Sequence, residues 1–336
     1  MKFGPVPVAE AAGTILAHSL KVGGTRIRKG QMLDDRLVAM IQASGVTRVT
    51  VARLAPGDLD ENAAAVALAA ALVPDPQAAG LRRTDPFTGR VNLLARGPGL
   101  ARIDPAAIER VNRVHPMITV ATVPCWQRMD ADGMVATVKI IAYAVPGREV
   151  DRACAAASSA LGLQSPVIRR AAYIETRIPG PEPSAVNDKG YRMMQARLAR
   201  LGSGLGPAVT VAHRVKDLTR ALAASREELI LVLTGSATSD PADVAPEAVR
   251  QAGGELVHFG MPVDPGNLLF IGRIGTRLVI GLPGSARSPA VSGVDWVLER
   301  VVCGVPVGPA DITSWGVGGL LKEIPTRPQP RRPDRN

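Results

Sequence analysis

Five consecutive aliphatic residues, Leu229-Ile230-Leu231-Val232-Leu233, end abruptly in Thr234-Gly235-Ser236-Ala237-Thr238-Ser239. An apolar run this short, with no polar alternation, predicts a strand buried on both faces that opens into a tight loop of small residues. The surrounding pattern agrees. From Val167 onward, Ala171 to Thr176 reads as a strand, and Tyr191, Met194, Leu198 and Leu201 read as one face of a helix capped by Asn187 and ended by Gly202. Ala208 to Ala212 is a second strand and Asp217 to Ala224 a second helix. A short helix after Asp243 ends at Gly253-Gly254, and Glu255 to Phe259 is a further strand. Leu268 to Ile274 and Arg277 to Leu282 form a hairpin about Gly275, ahead of a helix from Val291 to Val302. Strands alternating with helices predict an α/β fold with a mostly parallel sheet covered on both sides. Ligands of such sheets gather at the carboxyl ends of the strands, where Thr234-Gly235-Ser236 falls.

That loop has the composition of an anion cradle. Gly235 lets backbone approach closely, and the hydroxyls of Thr234, Ser236, Thr238 and Ser239 can donate to oxygens. A second loop of small residues, Pro283-Gly284-Ser285-Ala286-Arg287-Ser288, follows the strand ending at Leu282. Arg287 can pair with a phosphate, and Asp243 with Asp240 can hold a Mg²⁺ that neutralises the same ligand. The spacing fits equally a pair of ordinary polar turns with Arg287 facing water.

The rest of the chain divides by rhythm. Residues 1–75 read as an α+β module, with a helix from Asp34 to Ala43, a strand over Val46 to Val51, and an Ala-rich helix over Ala63 to Val73 preceded by acids and stopped by Pro74. In residues 76–166 the segment up to Gly99 is broken by Pro and Gly. Asp104-Pro105 then starts a helix, and Met117 to Val123 and Met134 to Val145 give a β-hairpin signal. Residues 167–305 form the α/β domain, and 306–336 read as a disordered tail whose last ten residues hold four Arg and three Pro against one Asp.

Composition narrows the function classes. The net charge is +10, but the Arg residues are scattered among acids, and only 3% of residues are aromatic. No basic and aromatic stripe is present, so nucleic acid is not an expected partner, whereas a small polyanion or an acidic protein suits the surface. Cys125, Cys154 and Cys303 lie far apart, His18, His115, His213 and His258 are isolated, and no apolar run approaches a membrane span. The opening Met1-Lys2-Phe3-Gly4-Pro5 lacks a signal-peptide core, so the expected compartment is the reducing cytoplasm.

Residues 167 to 304 resemble the molybdopterin-binding domain shared by molybdopterin molybdotransferases and molybdopterin adenylyltransferases. The matching segments are Leu233-Thr234-Gly235-Ser236, Asp243, Gly253-Gly254, Pro265-Gly266 and Gly281-Leu282-Pro283-Gly284, in the family's order. Glu10-Ala11-Ala12-Gly13, Lys29-Gly30 and Gly45-Val46 are similar to the opening of the molybdotransferases. The resemblance implies a three-layer α/β domain that takes molybdopterin or the molybdenum cofactor, through Asn187, Thr234, Gly235, Ser236, Pro265, Gly266, Pro283, Gly284, Ser285, Arg287 and Ser288. It also implies Asp243 as the catalytic residue, Asp240 and Asp243 as magnesium ligands, and a homodimer.

The departures bear on chemistry. Ser236 stands where the family usually has glycine, Asp240 replaces the glycine before the acidic site, and Ser285-Ala286 replaces Asn-Pro. Asp264 and Asn267 stand where basic residues flank the Pro-Gly, and Thr176-Arg177-Ile178-Pro179 replaces Thr-Gly-Asp-Glu. Losing cations removes groups that hold a divalent oxyanion against its desolvation cost. Two expectations follow: a protein of molybdenum cofactor assembly that inserts molybdate, or a non-catalytic carrier that delivers the cofactor to a molybdenum enzyme. A third, an ordinary nucleotide site, lacks both a Walker-type lysine and a GxGxxG.

Overall fold

The computed structural model describes residues 1–178 and 188–321. The chain divides between Leu163 and Gln164 into two compact units.

The first unit contains two packed modules. Lys2–Pro7, Ile15–Leu16 and Arg48–Arg53 form a small antiparallel sheet beside the helix Asp35–Ala43, whose N-cap Asp34 accepts the Leu37 N–H at 2.8 Å. The Ala-rich helix runs Glu61–Leu72 and buries Ala64, Ala65, Leu68, Ala69 and Leu72 on one side, leaving Val66 exposed on the other. It packs on a four-stranded antiparallel sheet in the order Ile118–Thr122, Met134–Ile140, Arg90–Ala95, Leu81–Arg83. Two of these strands lie in the stretch that reads as broken by Pro and Gly. Val91, Leu93 and Ala95 alternate inward there, a period of two that the surrounding turn residues conceal. Asp104 caps the helix Pro105–Asn112 through the Ala107 N–H at 3.0 Å, with Pro105 at the first helical position as expected.

The second unit carries a six-stranded sheet of β1 (Arg170–Arg177), β2 (Gly204–Ala212), β3 (Leu229–Leu233), β4 (Glu255–Phe259), β5 (Phe270–Ile274) and β6 (Arg277–Leu282). The spatial order is β2-β1-β3-β6-β5-β4. β2, β1, β3 and β6 are mutually parallel, while β5 runs antiparallel to both β6 and β4. Every residue of β3 is buried, as its aliphatic run requires. Five such side chains contribute on the order of 10 kcal/mol of hydrophobic free energy before chain entropy is counted. Helices α2 (Val215–Ala224) and α3 (Val244–Gln251) cover one face, packing Leu218, Leu222, Ala248 and Val249 on Ile174, Ile230, Val232 and Val279. The alternate residues Tyr173 and Leu233 face the other way, toward α1 (Lys189–Ala199), which is tied to α4 (Gly293–Val302). Helices on both faces make this a three-layer α/β domain with a mostly parallel sheet.

Two expectations change. The described position that begins α1 is Asp188, whose side chain makes no capping bond, and Asn187 lies outside the described residues. The stretch 306–321, expected as part of a disordered tail, contains helix α5 (Pro309–Ser314), because Pro309 begins it and Ile312 is fully buried beneath it. Arg327 to Asn336 lie outside the described residues. All three cysteines are free, and the thiol of buried Cys303 is pushed up to about 12 by desolvation and, less, by Glu299.

Gly281 on β6 sits against the ring of Phe270, its antiparallel neighbour, and a Cβ there would stand 1.9 Å from a ring carbon. Gly281→Ala is expected to cost about 3 kcal/mol by forcing the ring off its rotamer. Gly204→Ala, whose Cβ would meet nothing closer than 3.7 Å, serves as the control in the same urea titration and is expected to lose under about 1 kcal/mol.

Candidate functional site

Parallel register brings three loops to one edge. Glu175 of β1 pairs with Leu233 of β3, which pairs with Leu282 of β6, so Thr176, Thr234 and Pro283 begin a common layer just beyond the sheet. Phe270 of β5 pairs with Gly281, which places the connection 260–269 at that edge too. Thr234, Gly235, Ser236, Pro265, Gly266, Pro283, Gly284, Ser285, Arg287 and Ser288 therefore all lie along one rim, while Asn187 lies outside the described residues.

Within the first loop, the hydroxyls of Thr234 and Thr238 are buried and face each other at 3.3 Å, whereas Gly235 and Ser236 are exposed. Gly235 is required for a reason the sequence did not reveal. Its missing Cβ would stand 2.8 Å from the Thr176 carbonyl oxygen and 3.2 Å from the Ile178 nitrogen, so the glycine admits the end of β1. Thr176, itself buried, completes this junction. Its Oγ1 accepts the Gly235 N–H at 3.0 Å and lies 2.8 Å from Nδ1 of His213. One hydroxyl, with two lone pairs and a proton, serves both partners.

The second loop is fastened by two arginines. Arg197 on α1 donates to Asp295 of α4 at 2.7 Å and to the carbonyls of Ala286 at 3.0 Å, Ser288 at 2.9 Å and Ala290 at 3.1 Å. Asp295 in turn forms a capping box with Ser292 at the start of α4. Arg287 reaches from the second loop to the first, donating from Nη2 to the Thr234 carbonyl at 3.2 Å. Among the described residues Arg287 forms no ion pair, so most of its five N–H donors remain for a ligand.

Among the described residues, two buried polar atoms here have no partner: the Tyr173 hydroxyl and Ser285 Oγ. Tyr173 is fully buried, its phenol held above the usual range by desolvation first and the Glu175 carboxylate second, with Arg287 opposing, so it stays a neutral donor. It lies under the first turn of α1, where a Cβ on Gly190 would stand 2.8 Å from the hydroxyl and 3.7 Å from Cγ of Arg287. Buried hydroxyls without partners are rare enough to mark a place where a polar group completes the structure. The Tyr173 hydroxyl near Gly190 and Arg287, with Ser285 two residues before that arginine, suits an anionic, hydrogen-bonding ligand.

The acidic positions are already engaged. Asp243 caps α3, accepting the Val244 N–H at 2.7 Å on one oxygen and the Ser239 N–H at 3.3 Å on the other. Asp240 accepts the Ala242 N–H at 2.7 Å in a tight turn. Among the described residues no group of three or more His, Cys, Asp or Glu converges as metal ligands. Asp240 and Asp243 thus each accept backbone N–H groups of the loop that leads into α3. At the rim's other end, Pro265 accepts the Gly293 N–H at 2.8 Å, and a Cβ on Gly266 would stand 2.8 Å from that nitrogen, so the Pro265-Gly266 pair lies flat on the start of α4.

Sequence reasoning missed Arg197, Tyr173, Thr176 and His213. Arg197 carried a signal, since it sits three residues after Met194 and four before Leu201 on the buried side of an amphipathic helix. An arginine on that stripe needs a carboxylate and carbonyls to face. Tyr173 and Thr176 carried none, because their partners lie on other strands.

Residues 172–301 match the family described as a probable molybdopterin binding domain, and residues 5–53 match a domain of unknown function. Residues 172–301 are thus similar to the molybdopterin-binding family that the loops resemble. No curated protein matches the chain significantly in sequence. Among solved structures, a molybdopterin biosynthesis MoeA protein from Pyrococcus horikosii is 13% identical with a TM-score of 0.32, covering 90% of this chain and 75% of that one. A molybdenum cofactor biosynthesis protein B is 15% identical with a TM-score of 0.30, covering 42% and 98%. The protein CinA from Thermoplasma acidophilum, of unknown function, is 15% identical with a TM-score of 0.28, covering 40% and 98%. Among the described residues, no helix is long and apolar enough to cross a membrane.

Thr176→Val is expected to cost about 1–3 kcal/mol, because it strips the Gly235 N–H of its acceptor, while Thr176→Ser stays near wild type. Equal losses for the two variants in denaturant melts of the full chain contradict the hydrogen-bond account.

Proposed function

We propose that this chain binds molybdopterin, or the molybdenum cofactor built on it, at the loop rim of its α/β domain and takes part in assembling that cofactor. The reading rests on the family match over 172–301 and on one observation above the others, the unpartnered hydroxyls of Tyr173 and Ser285 beside Arg287. In this reading Arg287 and Ser285 take the terminal phosphate, with Ser288 and the Pro283-Gly284 turn behind them. Thr234, Gly235 and Ser236 line the side toward β1, and Pro265 and Gly266 line the side toward α4. When bound, molybdopterin supplies a dithiolene that ligates molybdenum; the chain's residues bind and orient it. Arg287 already spans the two loops through Thr234, so the cation needed for a phosphate is in place before the ligand arrives.

A second reading, a carrier that shelters the cofactor and passes it to a molybdenum enzyme, is favoured by the state of the acids. Asp243 and Asp240 each accept backbone N–H groups of their own loop. The Pro265-Gly266 pair is flanked by Asp264 and Asn267, so it brings no cation to a divalent oxyanion. Moving such an ion out of water without compensating charge costs several kcal/mol.

Fluorescence titration of the purified chain with molybdopterin is expected to saturate, and Arg287→Glu is expected to weaken binding by about a hundredfold through loss of a charge-assisted contact and addition of repulsion. Absence of saturable binding, or indifference to both Arg287→Glu and Ser236→Trp, would falsify the binding site. Asp243→Asn keeps the helix cap, since Asn caps as well as Asp. If the wild-type chain ligates molybdate to the pterin and Asp243→Asn abolishes turnover, the carrier reading is excluded; binding without turnover supports it.

A further inference from the structure

The stretch that follows α5 is knitted into the rim. Trp315, the residue after Ser314, stands edge-on to Trp296 of α4, with ring centroids 5.8 Å apart at 89°, and the Arg300 guanidinium lies 4.8 Å from its ring centre. The chain then turns through Gly316 and Gly319 against Pro262 and runs parallel to the loop 262–264. Asp264 donates its N–H to the Gly319 carbonyl at 2.8 Å, and Leu321 donates its own to the Asp264 carbonyl at 2.9 Å. Gly319 has no room for a side chain, since a Cβ would stand 2.3 Å from the Pro262 carbonyl oxygen and 2.6 Å from that of Trp315.

These contacts grip the backbone immediately before Pro265-Gly266, and the far side of that pair rests on Gly293 at the start of α4. The loop is therefore held between the strap 315–321 and α4, and Trp315 ties the strap to the same helix. The strap's apolar side chains do not enter the core: Val317 is 99% and Leu320 83% exposed. Its hold on the loop is made through backbone hydrogen bonds and close backbone packing, so loosening it frees the loop without opening the interior.

We infer that Trp315 and Gly319 are positioning residues for the Pro265-Gly266 side of the site, setting where that pair meets the bound pterin. The inference rests on the pterin reading above. Gly319→Val pushes the strap off Pro262, and Trp315→Ala removes its anchor, while Trp315→Phe keeps an aromatic ring between Trp296 and Arg300. In the full chain, amide hydrogen exchange over 260–269 is expected to speed up about tenfold or more in Gly319→Val and Trp315→Ala, with β3 and β6 unchanged and Trp315→Phe close to wild type. The molybdopterin dissociation constant is expected to rise about tenfold in the same two variants and not in the third.

Exchange unchanged over 260–269, or raised evenly across the second unit, overturns the inference by reducing the strap to general support. A loop that loosens while affinity holds overturns it as well. A wild-type chain that does not bind molybdopterin sinks the pterin reading, and the inference with it. A wild-type chain that binds, with all three variants binding equally well, sinks the positioning role alone.

Discussion

The second unit is governed by the burial of β3. A strand with no exposed residue must satisfy its backbone on both edges, and β3 does so with β1 on one side and β6 on the other, both parallel to it. Parallel pairing sends the carboxyl ends of all three strands to the same edge. Loops that are about sixty and fifty residues apart in sequence are thereby placed side by side, before any loop residue has been chosen. The rim's existence is a consequence of hydrogen-bond satisfaction in the core, and its chemistry is laid on afterwards.

What holds the rim rigid is mostly backbone approaching backbone. Gly235 lies against the end of β1, Gly190 against Leu233 and Tyr173, and Gly266 against Gly293, each where a Cβ would collide. Small residues let the loops close up, and two guanidinium groups then lock them. Arg197, nearly buried, gathers three carbonyls of the second loop together with the Asp295 carboxylate, so its charge is both paired and hydrogen-bonded. Arg287 bridges the two loops. Among the described residues the buried hydroxyls of Tyr173 and Ser285 have no partner, and together with the donors of Arg287 they are the physical basis for proposing a ligand there.

Much of the fold was legible because its signals are local. The aliphatic run of β3, the Asp104-Pro105 helix start and the Gly275 hairpin each depend on residues within a few positions of one another, and each stands where the sequence placed it. The site was legible in outline, since small-residue loops after buried strands announce themselves. Its wiring was not. Thr176 and His213 are thirty-seven residues apart, and Arg197 and Asp295 ninety-eight. That Asp243 caps the next helix was equally illegible, because an acid beside a ligand loop looks the same in sequence whatever its carboxylate faces. The stretch 306–321 read as tail because Trp315 and Gly319 have meaning only against Trp296, Arg300 and Pro262.

The sequence by itself determined the alternation of strand and helix, the burial of β3 and the small-residue character of the rim, because hydrophobic period and turn chemistry act over a few residues. Only the tertiary structure decided which polar groups are already spent and which remain. Asp243 and Asp240 accept backbone N–H groups, while among the described residues Tyr173 and Ser285 are left without partners and Arg287 keeps donors in reserve. The reason is that a hydrogen bond forms between groups brought within about 3 Å, and that proximity is fixed by the parallel sheet and its loops rather than by position along the chain.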